Sequence, residues 1–206
     1  MQLSWAGANI VVLARSHNPT IISTEWVQRN HLVDEPAINF AHTPVLSMYQ
    51  SATFQLLVEP ERLQLALRVV SEANLQALGA GISNYATVLG HVPYRALGVN
   101  FQWQLSPERP GELDEILPSP EGDERRGFPP GTLRKGISLR LYRDDYLLRV
   151  LSVPPDRGEV LTVDFNFHFE TSTPEAVRDA AARTPECFAV TRVVVGELWK
   201  HRPVTS

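Results

Sequence analysis

Apolar and polar residues alternate strictly through Asp164-Phe165-Asn166-Phe167-His168-Phe169-Glu170. Side chains on a strand point alternately to opposite faces. The pattern therefore predicts a strand with Phe165, Phe167 and Phe169 on one face and Asp164, Asn166, His168 and Glu170 on the other. Residues 94–105 repeat it, with Phe101, Trp103 and Leu105 opposed to Asn100, Gln102 and Gln104. Two such strands suit one antiparallel sheet that buries a single face.

Strand signals also mark residues 8–15, 45–50 and 52–58. A turn at Glu59-Pro60-Glu61 returns the chain through 63–69, which reads as a hairpin. Residues 137–142 and 146–153, joined by Arg143-Asp144-Asp145, form a second hairpin, and a turn at 154–158 leads into the Asp164 strand. Helix signals are fewer. Ser23 or Thr24 can cap a short helix over 25–31, with Glu25 in its first turn. Through 70–89 the alternation stops, and Leu75, Leu78, Ile82 and Tyr85 recur at helical spacing, which predicts an amphipathic helix that Gly79 and Gly81 weaken. Thr173-Pro174-Glu175 and Thr184-Pro185-Glu186 each place a hydroxyl before Pro and an acid, which predicts two terminal helices. The second, about residues 185–200, competes with a strand reading of its β-branched stretch 188–195; the caps favour helix. The fold class expected is α+β, a mainly antiparallel sheet of about six to eight strands with helices on one face and a helical C-terminal segment.

One composition shift interrupts this order. Residues 106–136 hold six prolines, five glycines and twelve charged residues and cannot bury a core of their own. They read as a flexible insertion in a single domain spanning 1–206. Within them Leu113, Ile116 and Leu117 form a short apolar patch, the pattern of a segment that orders on a protein partner.

A net charge of −4 makes nucleic acid an improbable partner, since phosphate binding needs a positive field. The single cysteine, Cys187, rules out a disulfide framework and points to a cytoplasmic setting. No run approaches the roughly 20 apolar residues of a membrane span. Residues 1–8 lack the basic start of a signal peptide. A homo-oligomer is compatible with all of this, and no cofactor motif is present: the Walker loop, dinucleotide fingerprint, nucleophile elbow and zincin pair are missing.

The hairpin through Phe54 and Leu67, the strand Tyr94-Arg95-Ala96-Leu97-Gly98-Val99-Asn100-Phe101, and the Asp164 strand with its terminal helices carry a resemblance over about half of the chain. In these the sequence resembles a sporadically distributed family of uncharacterised bacterial proteins found near mobile elements. That resemblance implies no catalytic residues.

Candidate chemistry is sparse. His168 and Glu170, two apart on one strand face, could reach one metal if other ligands joined them; Asp164, about 13 Å from His168, could not. A solvated polar face explains the same residues. Arg15, Ser16, His17 and Asn18 cluster where a strand meets a turn, as anion-binding and catalytic groups often do, and turn chemistry, the favoured reading, explains them too. His91, before Pro93, is a second candidate of the same kind. Cys187 in a first helical turn could be a reactive thiol or a small buried side chain. Two readings remain: a non-catalytic interaction or adaptor protein with a protein partner, binding through Leu113, Ile116, Leu117, Arg15 and Asn18, or a hydrolase or nuclease using His17, His91 or His168 with Glu170. The test between them is whether a histidine meets a carboxylate in a pocket.

Overall fold

The computed structural model describes residues 2–108, 138–153 and 160–200. Their strands form one antiparallel sheet of nine, two of which are unusually long: β1 (Gln2–Ala14) and β6 (Tyr94–Ser106). The others are β2 (Asn39–Thr43), β3 (Leu46–Gln50), β4 (Phe54–Val58), β5 (Arg62–Leu67), β7 (Ser138–Tyr142), β8 (Leu147–Val153) and β9 (Leu161–Glu170). Their order is β2-β3-β4-β5-β1-β6-β9-β8-β7. Strands from both sides of the Pro-rich insertion thus share one sheet. The expected turn at 154–158 lies outside the described residues.

The count exceeds the six to eight expected. The additional strand is β2, whose Asn39-Phe40-Ala41-His42-Thr43 has little strand propensity and forms through its hairpin with β3. β1 also starts earlier than expected. Register shifts between Trp5 and Gly7 and between Leu13 and Ala14 mark bulges. The first reverses the alternation, so Trp5 ahead of it and Ala8, Ile10 and Val12 behind it all reach the core side.

Four α-helices lie among the described residues: α1 (Thr24–Arg29), α2 (Ala73–Val88), α3 (Pro174–Ala182) and α4 (Thr184–Lys200). α2 packs on β5 and β1, and α3 and α4 pack on β6. The caps at Ser23 and Thr173 form as expected, each hydroxyl accepting a first-turn backbone N–H. Thr184 differs: buried, it donates to the Ala181 carbonyl at 2.7 Å, and α4 follows α3 with only Arg183 between them. α1 closes with His31 at φ 52° and a bond from the Leu32 N–H to the Val27 carbonyl, a left-handed cap that buries both apolar side chains.

The core lies between the helices and one face of the sheet. Phe165, Phe167 and Phe169 are buried there, as the alternation predicts, with Phe101 and Trp103 beside them. The Trp103 indole stacks on Phe188 of α4 and donates to Thr191 Oγ1 at 3.1 Å. Arg183 ties the helix junction to the β7–β8 turn. Its guanidinium donates to Asp145 and Glu186 and lies over the rings of Tyr146 and Phe169.

Candidate functional site

With the apolar residues turned toward the helices, the opposite face of the sheet carries the polar half of each alternation. Register pairing places a row across all nine strands: Asn39, Gln50, Gln55, Ala66, Asn9, Asn100, Asn166, Arg149 and Arg140. At its centre three asparagines on adjacent strands form a ladder. Asn166 Nδ2 donates to Asn100 Oδ1 at 2.6 Å, and Asn100 Nδ2 donates to Asn9 Oδ1 at 2.8 Å. One step along the strands, Gln102 Nε2 donates to Asp164 Oδ1 at 3.0 Å.

These side chains line a shallow depression of about 320 Å³. Gly7, in register with Gln102, adds no side chain to it. Gly98 makes room for the ladder, since a Cβ there would stand 3.1 Å from Asn166 Nδ2. An asparagine amide offers two donors and an acceptor oxygen with two lone pairs. The ladder uses the Asn9 oxygen, both ends of Asn100 and the Asn166 nitrogen. Among the described residues, Asn9 Nδ2 and Asn166 Oδ1 remain for another molecule. Asp164 is the sole charged residue among the described residues of the lining.

The candidate histidines stand apart from one another. His168 Nε2 meets Glu170 Oε1 at 3.1 Å on the open face, and Glu170 is exposed. Among the described residues no three His, Cys, Asp or Glu side chains are grouped to hold a metal. His17 is 2% exposed, its Nδ1 2.9 Å from the Tyr85 hydroxyl and its Nε2 3.2 Å from the Val12 carbonyl. The carbonyl can only accept, so Nε2 carries the proton and Nδ1 receives the Tyr85 O–H. Burial holds the His17 pKa below its ordinary value and drives the Tyr85 pKa upward, which keeps both groups neutral in this arrangement.

His91 lines a separate pocket of about 420 Å³ with Ser16 and Asn18, so the two candidate loops do come together. Among the described residues no carboxylate lines that pocket. Asn18 caps the short 3₁₀ turn Pro19–Ile21, accepting from the Thr20 backbone and hydroxyl, while Arg15 is exposed. The Cys187 thiol is buried and its pKa is pushed up to about 12, mainly by desolvation, which makes it inert at neutral pH. Leu113, Ile116 and Leu117 lie outside the described residues.

No protein-family model matches the chain, and no curated protein matches it in sequence. No helix among the described residues is long and apolar enough to cross a membrane.

Sequence reasoning missed the ladder. Asn100 and Asn166 stood on recognised polar faces, but Asn9 lies in an apolar run and shows its facing only once its register is known. The signal was present: Asn9 alternates with Ala8, Ile10 and Val12, the sole amide in that run.

Proposed function

We propose that this chain is a non-catalytic interaction protein that binds an uncharged polar segment of a protein partner on the open face of its sheet. The observation that carries this reading is the in-register Asn9–Asn100–Asn166 ladder over its depression. A strand face that serves only solubility is commonly studded with Lys and Glu. Seven successive strands here place an uncharged residue in the central row instead. Amides give up water at far lower cost than ions and can both donate to and accept from a peptide group. A partner rich in backbone or side-chain amides matches that pattern; an anionic polymer does not, because among the described residues no Lys or Arg lines the depression.

A photo-crosslinking residue placed in the host at Gln102, exposed on the open face, should yield a protein adduct. The same residue at Val193, exposed on α4, should not. Adducts at Val193 alone, or equally at both positions, would overturn the assignment. The second reading, a histidine-dependent hydrolase or nuclease, draws on the Ser16 and His91 pocket. Among the described residues it lacks the carboxylate that would orient such a base.

A further inference from the structure

The sheet ends at two edges, and they are defended differently. β7 carries Arg140, in register with Arg149. β2 has no charge, no proline and no register shift along its pairing with β3. Natural edge strands usually carry one of these devices to prevent pairing with another chain. The neutrality extends further, because residues 36–58, a run of 23 that spans β2, β3 and β4, contain no Asp, Glu, Lys or Arg. Just outside the ends of β2, Ile38 and Val45 are 63% and 64% exposed.

We propose that β2 is a self-association edge, pairing antiparallel with β2 of a second copy about a two-fold axis at Ala41. The register that uses all five residues sets Ala41 against Ala41 of the other copy, Asn39 against Thr43 and Phe40 against His42. Each opposition is compatible. Asn39 and Thr43 can exchange a hydrogen bond on the open face. Phe40 and His42, already stacked with near-parallel rings on the helix side, continue as an aromatic row across the junction. Ile38 falls opposite Pro44, which covers part of its exposed side chain. A second copy is the occupant because this edge is neutral and complementary to itself, so the pairing brings no like charges together.

The two-fold axis of an antiparallel strand pair stands perpendicular to the sheet. Both open faces therefore point the same way, and a dimer presents two asparagine ladders side by side. The edge itself does not depend on what those ladders bind.

Sedimentation velocity at loading concentrations from about 1 µM to about 300 µM should show a concentration-dependent monomer–dimer equilibrium, in keeping with the small area a five-residue edge buries. Ala41→Lys and Ala41→Glu each set like charges opposite one another and should weaken the dimer by about five-fold. An equimolar mixture of the two variants should restore it. Ala41 is exposed, so circular dichroism and melting should be unchanged in both. A wild type that stays monomeric throughout, a dimer indifferent to both charges, or a mixture no tighter than its components would each overturn the proposal.

Discussion

Two glycines in helices should respond to the same substitution with opposite signs. Gly79→Ala in α2 and Gly196→Ala in α4 both replace the weakest ordinary helix former with the strongest, a gain of about 1 kcal/mol per site from propensity alone. At Gly196 an added Cβ meets nothing within 4 Å. That variant should be more stable by about 0.5–1 kcal/mol, or roughly 1–4 °C in a chain of this size. At Gly79 the added Cβ would stand 2.5 Å from the Ala181 carbonyl oxygen and 3.4 Å from Thr184 Oγ1. A relaxed C···O contact is about 3.3 Å or more, so α2 and the α3–α4 junction would have to part by roughly 0.8 Å. The obstacle is backbone, which cannot rotate away. Overpacking of that kind costs about 1–3 kcal/mol, and with the propensity gain of about 1 kcal/mol set against it the net is a loss of up to roughly 2 kcal/mol. Thermal and urea melts of the two variants beside the wild type measure the difference. A Gly79→Ala protein as stable as Gly196→Ala would mean that α2 does not approach Ala181 this closely.

Acidification should act through His17. Its folded pKa lies below the unfolded value, so the unfolded chain binds more protons below about pH 6.5. The stability that neutral His17 contributes is complete above that pH and falls with acidification by at most about 1.4 kcal/mol per unit. Urea midpoints between pH 7 and 5 should slope less in His17→Gln than in the wild type; equal slopes would remove His17 from the account. Phe167→Ala takes out a fully buried ring that contacts Phe101 and Tyr146 and should cost about 3–5 kcal/mol in a urea titration. Its neighbour His168→Ala, on the open face, should stay within about 0.5 kcal/mol with or without chelator. A wild type that loses stability to chelator beside a His168→Ala variant that does not would show a bound metal there.

The sheet was legible wherever one rule governed a whole strand. At Phe165, Phe167 and Phe169 the period of two reports the buried face directly, and Asn100 and Gln102 show the reverse face of β6. Legibility failed where a tertiary partner supplied what local sequence lacks. β2 forms because β3 pairs with it. β1 holds its facing across a bulge that no count of alternating residues can anticipate. The α2 helix was legible from its apolar spacing although Gly79 and Gly81 weaken it on propensity; what sequence could not show is why Gly79 stands there, since the Ala181 carbonyl occupies the space a side chain would take.

The same limit applies to the site. Catalytic chemistry leaves a mark in sequence because it needs particular side chains; His17, His91 and Cys187 drew attention for that reason. The structure gives His17 and Cys187 buried places, and His91 a pocket with no carboxylate among the described residues. The asparagines carry no such mark, since Asn is an ordinary residue on a polar strand face. What distinguishes Asn9, Asn100 and Asn166 is that three strands, distant in sequence, bring them into one register and let each amide hydrogen-bond to the next. A single Asn on a solvated strand is free to rotate. A ladder restrains the three amides together, so the polar groups at its two ends are held at set positions on the open face. That pre-organisation would lower the ordering entropy of the binding proposed for this face. It is a property of the sheet's register, which is why it becomes visible only when the fold is known.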